Sequence, residues 1–89
     1  MTPEKLLDIL RTDTMEIIFT KKDGSLRTMF CTLNEAYLPE TNSTHEPKPY
    51  TGLITVWDLE NEGWRSFNYE AIQEVEWDEG INLRREILQ

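Results

Sequence analysis

The stretch Lys22-Asp23-Gly24-Ser25 constrains this chain most, because it separates two segments that alternate with period two. Before it, Met15, Ile17 and Phe19 alternate with Glu16, Ile18 and Thr20, the pattern of a half-buried strand. After it, Met29, Cys31 and Leu33 share one face, with Arg27 on the same register at the turn end. Thr28, Phe30 and Thr32 share the other face. Asp-Gly supplies the positive φ that a tight hairpin turn requires. The chain must therefore build an antiparallel hairpin with one apolar face. Cys31 falls on that face and reads as a small core residue rather than a nucleophile. As the only cysteine, it excludes an internal disulfide and a cysteine metal cluster.

The flanking segments extend this hairpin into a sheet. Thr2-Pro3 reads as a helix start, with Thr as N-cap and Pro at the first helical position. Leu6, Leu7, Ile9 and Leu10 follow at helical spacing, and the helix ends near Arg11-Thr12-Asp13. So short a helix must dock its apolar stripe, here on an open end of the sheet. Residues 34–50 carry Pro39, Pro47, Pro49 and a polar run. They read as a long loop, with Tyr37-Leu38 anchoring its start. Leu53 to Asp58 is a third strand, Asn61-Glu62-Gly63 a turn and Trp64 to Asn68 a fourth strand. Tyr69 to Ile72 is one helical turn, and Gln73 to Trp77 a fifth strand broken by Asp78-Glu79-Gly80. Residues 81–89 are left as a C-terminal tail: a short helix, an added strand, or a segment that orders on a partner. The order predicts an all-β fold, a small SH3-like/Sm-like five-stranded barrel with an N-terminal α-helix. Residues 1–80 form its single domain. Closing the sheet would remove its edges.

Charge bounds the function. The net charge is −8, which opposes general binding to phosphate backbones. From Asp58 to Glu79 there are eight acids against one base, Arg65, a net −7. Bases gather elsewhere, at Lys21, Lys22 and Arg27 and at Arg84 and Arg85. The acidic stretch reads as a solvated face or as a surface for a basic protein. No apolar run approaches a membrane span, and the first residues lack the apolar stretch of a signal peptide. A cytoplasmic protein is expected, so the sequon Asn42-Ser43-Thr44 carries no weight. His45 has no partner for catalysis and no glycine loop cradles phosphate. No enzymatic activity, cofactor or metal is expected. Trp57, Trp64 and Trp77 read as core and rim. Trp64 is the best candidate for an exposed stacking platform. Its neighbour Arg65 suits a phosphate or carboxylate, or a cross-strand ion pair with Glu74 or Glu76.

The run from Trp57-Asp58 through Gly63-Trp64-Arg65-Ser66-Phe67 to Val75-Glu76 resembles the end of a WYL domain. The hairpin Phe19 to Thr28 resembles the first hairpin of that family. More closely, residues 15 to 77 resemble the short WYL-like proteins of tailed bacteriophages, which repeat Lys-x-Asp-Gly-Ser-x-Arg-Thr-Met and Gly-Trp-Arg-Ser-Phe. The naming triplet has no Trp or Tyr near Gly52-Leu53-Ile54, and Asn68 and Ala71 stand where the family has arginines. The resemblance implies an accessory module in a bacterial host that senses a nucleotide or nucleic-acid fragment through Arg27, Trp64 and Arg65. The alternative is an acidic module that binds or inhibits a host or phage protein through Glu70, Glu74, Glu76, Asp78 and Glu79, imitating nucleic acid. A self-assembling barrel is a third expectation.

Overall fold

The computed structural model describes residues 1–39 and 51–88. Helix α1 spans Pro3–Thr12. The strands are β1 (Thr14–Thr20), β2 (Leu26–Thr32), β3 (Leu53–Asp58), β4 (Gly63–Asn68), β5 (Ile72–Glu79) and β6 (Asn82–Ile87), with a 3-10 turn at Tyr69–Ala71 before β5. The Thr2 hydroxyl accepts from the Lys5 amide at 3.2 Å and caps α1, and Pro3 opens it. Leu6 and Leu10, one turn apart, are its fully buried residues. They dock on the sheet, and the Leu33 amide donates to the Leu10 carbonyl at 2.9 Å to hold the helix end there.

The first hairpin forms as the sequence requires. The Gly24 amide donates to Lys21 C=O at 3.0 Å, and Gly24 takes φ 88. Asp23 accepts from both the amide and the hydroxyl of Ser25, which lowers its pKa. Across the ladder Met15 meets Cys31 and Ile17 meets Met29, and all four are buried. With Phe19, Ile54, Val56, Phe67, Ile72 and Val75 they form one core beneath α1.

The sheet is antiparallel in the order β4-β3-β2-β1-β5-β6. β2 and β3 share only Cys31↔Asp58 and Thr32↔Trp57, whereas β3 and β4 pair along their whole length. The short junction lets β3 and β4 fold over the core. Phe67 of β4 consequently stacks on Phe19 of β1, with ring centres 4.7 Å apart.

Three expectations change. The sheet has six strands rather than five. Gly80 does not end the strand register but starts a two-residue hairpin loop: it takes φ 66 while Ile81 stays at negative φ, the pattern of a type II′ turn. Of the three forms left open for the segment after Gly80, the protein takes the added strand. Among the described residues β4 and β6 also each have a single strand neighbour, so closure does not remove both edges. Finally, Tyr37 is exposed, and Asn34 fixes the start of the loop. Its Oδ1 accepts from the Ala36 amide and its Nδ2 donates to Thr12 C=O. His45, Pro47, Pro49 and the sequon lie outside the described residues.

Candidate functional site

The bend after β3 is organised by Asp58, whose side chain is 1% exposed. Its Oδ1 accepts from the amides of Glu60 (3.0 Å) and Asn61 (3.2 Å). Its Oδ2 accepts from Asn61 Nδ2 (2.9 Å) and Arg27 Nη2 (3.1 Å). Burial alone would raise this carboxyl's pKa. The donors of Asn61 and Glu60 and the charge of Arg27 outweigh burial, so the pKa falls below the ordinary value. Arg27 is thus the ion-pair partner of a buried carboxylate.

The Asp58 charge also acts on Cys31, its neighbour across the ladder. Burial first, then that charge, pushes the thiol up to about 12. Cys31 is a core residue, buried beside the Met15 carbonyl.

Trp64 and Arg65 are both exposed on β4. Trp64 pairs with Trp57 across the ladder, ring centres 5.4 Å apart in an edge-to-face contact. Consecutive strand residues point to opposite faces, so Arg65 leaves β4 on the other side, on the register of Val56 and Phe67. Its Nη1 donates to the Trp64 carbonyl at 2.9 Å and lies over Gly63, where a Cβ would come within 3.0 Å of it. The fold does not combine Trp64 and Arg65 into one clamp. Arg27 shares the inner register with Arg65, but its guanidinium is held by Asp58.

The acidic residues divide among several surroundings. Glu70 is exposed on the 3-10 turn. Glu74, Glu76 and Asp78 alternate along the outer face of β5 and pair across the ladder with Ile87, Arg85 and Leu83 of β6. Arg85 contacts Glu74 directly and lies 3.7 Å from Glu76. The cross-strand ion pair foreseen for Arg65 is therefore made by Arg85. Glu79 pairs with Arg84 at 3.0 Å. β6 brings two arginines alongside the −7 stretch, and its acids no longer form one uniform surface.

A shallow groove remains on this outer face, about 110 Å³ in volume and lined by Thr14, Glu16, Phe30, Glu76, Trp77, Asp78 and Leu83. Three carboxylates stand there over apolar walls. Glu16 joins Glu76 because β1 and β5 pair them directly. Phe30 joins because it faces Glu16 across β1 and β2. Sequence reasoning missed Glu16, Phe30 and Leu83. The alternation of β1 and β2 assigned Glu16 and Phe30 to the outer face, but only the pairing of β1 with β5 brings them to Glu76.

Among the described residues no three His, Cys, Asp or Glu side chains are disposed to hold a metal ion, and no helix is long and apolar enough to cross a membrane. A family model described as WYL_2, Sm-like SH3 beta-barrel fold, matches residues 3–73. The chain belongs to the WYL_2 family. The match to WYL_2 takes in α1, β1 to β4 and the start of β5, and β6 lies beyond it. No curated protein and no solved structure matches this WYL_2 chain.

Proposed function

We propose that this WYL_2 chain is a non-catalytic accessory binding module of the kind carried by tailed bacteriophages, working in the bacterial cytoplasm. Its ligand is a basic, amphipathic segment of a host or phage protein. The observation that carries this reading is the outer-face groove, where Glu16, Glu76 and Asp78 stand around Phe30 and Leu83. A lysine or arginine fits such a lining, laying its aliphatic stem on the apolar wall and its charge against the carboxylates. The net charge of −8 favours encounter with a basic partner and opposes a polyanion.

The test is titration of the protein with a fluorescent peptide of alternating lysine and leucine, beside a nucleotide and a short oligonucleotide. The expected result is peptide binding that weakens with salt. Tighter binding of the oligonucleotide at low salt would replace this reading with nucleic-acid sensing. Trp64 supports that second reading, because it keeps an exposed face, 39% of its surface, on the edge strand β4.

A further inference from the structure

The free edge of β6 has a backbone pattern that selects one kind of neighbour. The Leu88 amide donates to Gln73 C=O at 2.9 Å, continuing the register of Glu74↔Ile87 by one step. Hydrogen-bonded and non-hydrogen-bonded pairs alternate along an antiparallel ladder. Asn82, Arg84 and Glu86 therefore turn their backbone groups toward β5. Leu83, Arg85 and Ile87 turn theirs away from the sheet, where no strand among the described residues meets them. The edge has no bulge and no proline; its charged residues are Arg84, Arg85 and Glu86, each paired within its own chain. Leu83 and Ile87 are 68% and 67% exposed.

We propose that this edge pairs with the β6 edge of a second copy of the chain, antiparallel about a two-fold axis through Arg85. The register follows from elimination. Outward-facing residues must pair with outward-facing residues. Centring the axis on Arg84 sets Ile87 opposite Ile81 in the turn, and centring it on Glu86 sets Leu83 opposite a residue beyond the strand, so each leaves an outward-facing residue without a strand partner. Centring it on Arg85 sets Leu83 against Ile87, an apolar pair occurring twice, and brings Arg84 beside Glu86 of the other copy, each already paired within its own chain, with Glu79 and with the Met1 amine. All three outward-facing residues of each strand then complete their hydrogen bonds. The remaining opposition, Arg85 against Arg85, is relieved because Glu74 and Glu76 of the same chain already hold each guanidinium. The two sheets become one, with an outer-face groove in each half. This assembly does not rest on what the groove binds, although Leu83 belongs to both surfaces.

Sedimentation equilibrium of the full chain tests the assembly, and cysteine cross-linking tests the register. The expected species has twice the 10.5 kDa chain mass and forms as concentration rises from micromolar to millimolar. In the proposed register the Arg85 Cα atoms lie about 5.5 Å apart, within the roughly 4.4–6.8 Å span of a disulfide. Arg85→Cys then yields an oxidised dimer. Arg84→Cys does not, because its two copies are about 8 Å apart along the ladder. Cys31 is buried and does not compete. A monomer at every concentration, a closed ring of three or more chains, or equal cross-linking at both positions would overturn the proposal. The sedimentation result stands even if Arg85→Cys fails to fold.

Discussion

Arg27 and Asp58 are 31 residues apart in sequence, yet they meet at 3.1 Å, and that contact ties β2 to the end of β3. Asp58 is the more important partner. Removing its carboxylate takes away the shared acceptor of the Glu60 and Asn61 amides, the Asn61 side chain and the Arg27 guanidinium. Asp58→Ala is expected to cost about 3 kcal/mol, in the range for breaking a buried hydrogen-bonded charge. Arg27→Met should cost about 1 kcal/mol, since the Arg27 side chain is one-third exposed and the other three bonds to Asp58 remain. Urea denaturation at neutral pH checks both. Equal costs would show that the ion pair, rather than the turn, sets the energy.

The same carboxyl makes stability depend on pH. Its folded pKa lies below the ordinary value of 3.8, so the unfolded chain takes up a proton first as pH falls. The stabilisation is fully present above the unfolded pKa and is lost as pH falls through the folded one. Asp58→Asn should flatten the stability profile below about pH 4 relative to the parent protein. Denaturation midpoints measured from neutral pH down to pH 2 decide it, and parallel acid limbs would refute it.

Cys31 offers a probe of global opening. With its thiol raised to about 12 and no exposed surface, almost no thiolate meets solvent at neutral pH. Its labelling by a disulfide reagent should require opening of the fold, and should accelerate in Asp58→Ala by about tenfold for each 1.4 kcal/mol of stability lost. A rate that follows thiolate concentration in the folded protein would contradict this.

How much of this was legible in sequence depended on whether the signal was local. The first hairpin was legible because Asp23-Gly24 and two alternating segments lie within one stretch. Helix α1 was legible because Thr2, Pro3, Leu6 and Leu10 carry cap and stripe together. β6 was not, because every described side chain from Asn82 to Leu88 is exposed or half-buried. It is a strand through its backbone bonds to β5, and it shows no buried alternation. The ion pairs were misassigned for the same reason. An arginine beside Glu74 and Glu76 was foreseen, but only the neighbour of β5 decides whether it is Arg65 or Arg85. The groove was hidden because its lining comes from four strands, and only sheet order brings Glu16 and Leu83 to Glu76.

The groove yields the last prediction. Glu16, Glu76 and Asp78 face a bound cation together, so neutralising two of them should weaken the lysine-leucine peptide without unfolding the chain. Exposed ion pairs contribute about 0.5–1 kcal/mol each. Glu16→Gln with Asp78→Asn should therefore lower affinity about tenfold at low salt, with a smaller difference at high salt, where charges are screened. Phe30→Ala tests the apolar wall, and should weaken binding at both salt concentrations because burial of apolar surface is not screened. Glu76 is left in place because it also lies near Arg85, and changing it would disturb β6. Fluorescence anisotropy at two ionic strengths separates the contributions. If the double neutralisation leaves the affinity unchanged while Trp64→Ala abolishes it, the binding surface is β4 and not this groove.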